Sequence, residues 1–207
     1  VMEKTVAMAG EFNTAVGAHP GFPDLVGFGR RNMAVTPEEA KAYVKYQLGA
    51  LMAFTQSRGI RLQHVKPHGA MYNAAAKDIK LSRAICEAIA ECAPGAILLC
   101  LSGSEMCRAA EECGILYASE VFADRAYEDD GSLVARSKPG AVITDENEAI
   151  ARVVRMVRES KVTSVNGKDI SIKADSICVH GDNAHALEFV TRIRAALKAE
   201  NISTAPL

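Results

Sequence analysis

Strand-like and helix-like segments alternate along the whole sequence of 207 residues, and no other feature constrains its fold as strongly. Parallel strands need a crossover, which a helix supplies, so such alternation implies a parallel sheet covered by helices. Residues 1–13 read as a helix, and Ala15 to His19 as a short buried strand before a loop rich in Gly, Pro and Phe (Pro20 to Asn32). Thr36-Pro-Glu-Glu39 is a strong helix start, with Thr36 as cap, Pro37 in the first position and Glu39 closing a capping box. That helix presents Ala40, Val44, Leu48 and Leu51 on one face and stops at Gly59. A strand over 62–66, a turn over His68 to Tyr72 and a helix from Asp78 to Cys92 follow.

Ala96 to Leu101 is a continuous apolar run, as expected of a strand buried on both faces. Ser102-Gly-Ser-Glu105 predicts a second capping box, opening a helix that ends near Gly114. Ile115 to Ala123 is strand-like, and a polar segment runs from Asp124 to Arg136. Thr144 or Asp145 caps a helix with Ile150, Val153, Val154 and Val157 inward. Asn166-Gly167 predicts a hairpin between 162–165 and 170–172. Ser176 to His180 is the last strand, and the final helix carries Ala186, Val190, Ile193 and Leu197 at helical spacing. These are five strand–helix units with no linker or repeat. An incomplete (β/α) barrel, as one domain, accounts for the polar residues better than an open doubly wound sheet does.

Composition narrows the function. Lys and Arg number 24 against 25 Asp and Glu, a formal net charge of −1, so no basic field attracts nucleic acid or an anionic membrane. No apolar run approaches the roughly 20 residues that span a bilayer. The six cysteines form no C-x-x-C pair and no zinc spacing, and read as reduced side chains of a cytoplasmic protein.

The chemistry collects at strand ends. His64 to Asn73 packs two imidazoles, a lysine, a tyrosine and an amide into ten residues. The His-x-x-x-His spacing of His64 and His68 suggests metal ligands on a helix, but Pro67 disfavours helix there and ends a strand instead. His64 and Lys66 then share one strand face. Three further segments share this polar density: Gly17 to Asp24, Glu120 to Arg125, and His180 to Asp182. In parallel α/β folds the carboxyl ends of all strands lie on one face, where sites are built. Each member also has a plainer reading. Asp182 reads equally as a helix cap, Asp24 as a partner of its own loop backbone, and His185 as a surface residue. Glu120 and Asp124 are an acid/base pair or ion-pair partners of Arg125 and Lys66. Arg136 is solvated or clamps a carboxylate. A desolvated Lys66 either shifts its pKa or binds an anion. No Walker loop, dinucleotide fingerprint or G-x-S-x-G elbow occurs, which leaves hydrolysis by acid/base groups, with or without a metal.

Gly17-Ala-His-Pro-Gly-Phe-Pro-Asp24, His64-Val-Lys-Pro-His-Gly-Ala-Met-Tyr-Asn73, Glu120-Val-Phe-Ala-Asp-Arg-Ala-Tyr127, Asp130-Gly-Ser-Leu-Val-Ala-Arg-Ser137 and Cys178-Val-His-Gly-Asp182 together resemble the LamB/YcsF family of 5-oxoprolinase subunits. The resemblance runs in order over nearly the whole chain. It implies a (β/α) barrel akin to those of glycoside hydrolases and deacetylases, and ATP-dependent opening of 5-oxoproline to glutamate with partner subunits B and C. The family pattern begins with an Asp-Leu-Asn-x-Asp-x-Gly-Glu-like strand and an Asn-Ile-Ala-Cys-Gly-Phe-His-Ala-Gly-Asp-like segment. Neither occurs in this sequence, so the barrel is expected to lack its N-terminal strands.

In the reaction so implied, Asp124 or Asp182 is the base, while Lys66 and His68 stabilise negative charge. His64 and His180 complete the catalytic set. Arg125 or Arg136 holds the substrate carboxylate, with His19, Asp24, Tyr72 and Glu120 as further binding residues. ATP chemistry is expected from the partner subunits. Two alternatives stand beside this reading: a metal-dependent amide or polysaccharide deacetylase using a divalent cation, and a non-catalytic component of a complex. All three are compatible with a homo-oligomer.

Overall fold

A computed structural model describes residues 1–180 and 186–207. The chain packs into two compact units, one of Val1–Cys100 with Ser104–Ala118 and the other of Leu101–Gly103 with Ser119–Leu207. Parallel strands alternate with helices, the pattern of the (β/α)-barrel class.

The first unit holds α1 (Met2–Glu11), β1 (Val16–Ala18), α2 (Pro37–Gln56), β2 (Leu62–Val65), α3 (Gly69–Ala75), α4 (Ile79–Cys92), α5 (Glu105–Cys113) and all but the last residue of β3 (Ile97–Leu101). Its strands pair in parallel, Gly17 opposite His64 and Val65 opposite Leu98. The capping box forms as expected: the Thr36 hydroxyl accepts from Glu39 N–H, and Glu39 Oε2 accepts from Thr36 N–H at 2.8 Å. Ala40, Val44 and Leu48 face inward and Thr55 extends their buried stripe, while Leu51 is half-buried. With Val65, Met71, Ile85, Ile89, Leu98 and Met106 they form the core. Each fully buried aliphatic side chain among them contributes about 1.5–3 kcal/mol.

Two local expectations are corrected. His68 to Tyr72 is not a turn: after His68 the chain enters α3, whose Ala70, Ala74 and Ala75 favour helix and whose Met71 and Tyr72 are buried. Nor does Ser102 cap α5. The cap position is Ser104, which makes no side-chain capping bond, and the Ser102 hydroxyl instead accepts from Lys173 N–H at 2.8 Å. A long-range partner has taken the cap.

The second unit contains most of β4 (Tyr117–Phe122), then α6 (Glu146–Glu159), β5 (Lys161–Thr163), β6 (Asp169–Ser171), β7 (Ser176–Cys178) and α7 (Ala186–Ala199). β4 and β7 run parallel, with Glu120 opposite Ser176 and Phe122 opposite Cys178. The Asn166-Gly167 hairpin forms between antiparallel β5 and β6, with Gly167 at φ +79° as its turn requires. Asp145 is the cap of α6, accepting from the N–H groups of Asn147 and Glu148. Ala149, Val153 and Met156 are its buried residues, and Ile150, Val154 and Val157 are only half-buried. In α7 Phe189, rather than Val190, joins Ile193 and Leu197 inside. Among the described residues no helix is long and apolar enough to cross a membrane.

Candidate active site

Two clusters of functional side chains form, one in each unit. The first gathers at the carboxyl ends of β1 and β2. Lys66 N–H donates to Ala18 O at 2.9 Å and His68 N–H to Pro20 O at 2.8 Å, extending the ladder past both strands. Gly17 makes room for His64, because a Cβ at position 17 would fall 2.0 Å from His64 Nε2. Gln47 on α2 fixes the next turn by donating to Gly21 O and accepting from Gly21 N–H. Asp24, with only 4% of its side chain exposed, pairs with Arg31 and accepts from Gly27 N–H at 2.9 Å. The Arg31 hydrogen bond holds its carboxyl down at about 2, against the opposing effect of burial.

Within this frame His19 and His68 share protons in a countable way. His19 Nδ1 lies 2.7 Å from Lys66 O, and His68 Nε2 lies 2.7 Å from Phe28 O. A carbonyl only accepts, so both of those nitrogens carry a proton. His68 Nδ1 and His19 Nε2, 2.9 Å apart, need one more proton between them. Filling all three hydrogen bonds at once takes three protons on the two imidazoles, one more than the neutral pair carries. Burial, then the neighbouring His68, lowers His19 to about 4. The rings meet edge to face with centroids 4.7 Å apart. Burial and the Lys66 charge also lower the pKa of His64. The Lys66 ammonium stands 5.9 Å from the centroid of the buried Tyr72 ring. With the Lys66 ammonium among its imidazoles, the cluster is suited to holding negative charge on oxygen.

The second cluster follows β4. His180 Nδ1 lies 3.1 Å from Asp124 Oδ2, and His180 Nε2 lies 3.0 Å from Arg136 Nη2. Arginine only donates, so His180 Nε2 is an acceptor and its ring proton sits on Nδ1, pointing at Asp124. That is the tautomer a general base needs. Burial pushes the Asp124 carboxyl up, but the hydrogen bond and electrostatic interaction with His180, with the Arg136 charge behind them, outweigh it and leave the group below its ordinary value. Asp124 Oδ1 is buried with no hydrogen-bond partner among the described residues. Arg125 is 4% exposed and donates to the carbonyls of Val134 and Ala141, with its pKa lowered by burial and then by Arg136. Glu120 is buried at 2% exposure.

The structure thus brings together His19, His64, Lys66, His68 and Tyr72, and separately Asp124, His180 and Arg136. Asp24 and Arg125 spend their polar groups on their own loops. Asp182 and His185 lie outside the described residues. Sequence reasoning missed Gln47, whose only signal is an amide beside the apolar stripe of α2, and the Phe28 carbonyl, which carries no side-chain signal at all. Among the described residues no group of three or more His, Cys, Asp and Glu side chains is placed to hold a metal ion. The His19 and His68 nitrogens, each committed to a carbonyl or to each other, do not fit a divalent cation as they stand.

The LamB/YcsF family profile matches residues 1–207. A protein of Clostridium beijerinckii, named as the A subunit of 5-oxoprolinase, is 64% identical over 207 residues, covering 100% of this chain and 81% of that protein. A protein of the same name from Alkaliphilus metalliredigens is 62% identical over 202 residues, covering 98% of this chain and 79% of its own length. Among solved structures, the lactam utilization protein from Thermus thermophilus superposes with a TM-score of 0.89 at 43% identity, covering 100% of this chain and 82% of its own.

Proposed function

Because the chain belongs to the LamB/YcsF family, we propose that it opens the ring amide of 5-oxoproline to give glutamate, as one component of an ATP-dependent 5-oxoprolinase. The names of its relatives, which speak of 5-oxoprolinase and of lactam utilization, support a lactam substrate. Partner subunits, B and C, supply the nucleotide chemistry and place phosphate on the ring oxygen. One water then adds to the ring carbon. The C–N bond breaks with the nitrogen taking a proton, and the resulting acyl phosphate loses phosphate to a second water.

The observation that carries this reading is the Asp124–His180–Arg136 chain. A substrate carboxylate draws Arg136 away and uncovers His180 Nε2, which takes the proton from water while Asp124 holds Nδ1–H. Lys66, beside the paired imidazoles of His19 and His68, is of a kind that suits phosphate and developing oxyanions.

The test is glutamate formation from 5-oxoproline and ATP with subunits B and C present. His180→Gln is expected to lower turnover at least roughly 10²-fold, the usual worth of a positioned general base, with an unchanged thermal midpoint. Lys66→Met is expected to do likewise. Near-normal turnover in either variant overturns the assignment.

A further inference from the structure

A cleft of about 370 Å³ opens in the second unit beside β5, its wall carrying Glu148, Arg152, Arg155 and Lys161. The arginines differ in how their charge is met. Arg155 is fully ion-paired, donating to Asp169, Glu159 and Thr163. Half-buried Arg152 has one hydrogen bond among the described residues, from Nη2 to Arg125 O at 3.2 Å. No carboxylate among those residues pairs with it, and Glu148 acts on it only through charge. Desolvation lowers its pKa, and the opposing influence of Tyr127 and Glu148 does not make up for it, so the cation is held partly out of water. Lys161, exposed at the start of β5, affects Asp169 through its charge but is not ion-paired to it. Four guanidinium N–H groups and one ammonium therefore remain unspent at a single concave surface. Leaving a part-buried cation without an ion-pair partner is costly, and the remedy is an anion that meets several N–H donors at once.

We propose that this cleft binds a small oxyanion, a phosphate or a carboxylate, held by Arg152 and Lys161. The site is separate from the His180 chemistry, and its occupancy needs no turnover. It is still connected to that chemistry by one bond. Arg152 donates to the carbonyl of Arg125, the residue after Asp124, so an anion that reorients the guanidinium changes the support of that segment.

The experiment is isothermal titration of the full chain with inorganic phosphate and, separately, with acetate, at ionic strength fixed by sodium chloride. Wild type is compared with Arg152→Gln and Lys161→Gln. Saturable binding of phosphate is expected, weakened at least roughly tenfold by either substitution, as loss of one charge-assisted hydrogen bond requires. Saturable binding of acetate with none of phosphate supports the same site and identifies a carboxylate as its ligand. Lys161 is exposed, so Lys161→Gln tests the site even where Arg152→Gln disturbs folding. Absence of saturable binding of either anion to wild type overturns the proposal, as does undiminished affinity in Lys161→Gln.

Discussion

The burial of His19 has a thermodynamic consequence that belongs to a single residue. Folded His19 titrates near 4, whereas the unfolded residue titrates at 6.5. As pH falls through that interval the unfolded chain takes up a proton that the folded chain refuses, so folding stability falls with it. Above 6.5 the contribution is fully present. Thermal midpoints measured across this range should therefore decline more steeply for the wild type than for His19→Asn, and coincident slopes would remove the assignment. The sequence made His19, His64 and His68 visible because they stand at strand ends around Pro67. It did not make the pairing visible, because the partner that fixes His68 is a backbone carbonyl in a loop where Phe28 adopts φ +54°. The contacts of Arg125 were hidden for the same reason. Its donors go to two carbonyls, and carbonyls carry no letter in the sequence.

Elements were legible where their signals are local. Thr36, Pro37 and Glu39 mark the start of α2 within four residues, and the cap they predict is the cap that forms. Thr36→Ala is expected to destabilise the protein by about 1 kcal/mol. For a chain of this size that lowers the thermal midpoint by about 2–4 °C, which calorimetry resolves. An unchanged midpoint would mean that α2 is held by its buried stripe alone. The Asn166-Gly167 hairpin and the Ala96 to Leu101 strand were equally plain. Ser102 to Glu105 has the same local pattern as Thr36 to Glu39, yet Ser102 turns to Lys173, 71 residues away. Local pattern is blind to such a competitor. α3 escaped because the strand-ending Pro67 stands just before it and reads as the opening of a turn, and burial of Met71 and Tyr72 overrides that signal.

At the scale of the whole molecule, both units carry acids held well below their ordinary range. Arg31 holds Asp24 at about 2, Lys41 and Lys45 hold Glu91 at about 2, and Arg155 holds Asp169 at about 2. Depressed carboxyls stabilise above their unfolded pKa and lose that contribution as pH falls toward the folded value. Acid unfolding should accordingly steepen between about pH 4 and pH 2. The Lys41, Lys45 and Arg155 pairs lie at the surface, so added salt should flatten that steepening. A salt-independent acid transition would point elsewhere. The balance of charge over the whole molecule bears on its behaviour in another way. Lys and Arg number 24 against 25 Asp and Glu, a formal net charge of only −1. Near pH 7 copies of this protein have almost no mutual repulsion to keep them apart. Its solubility there depends on the pattern of surface charges, and a buffer one or two pH units away is the better choice for concentrating it.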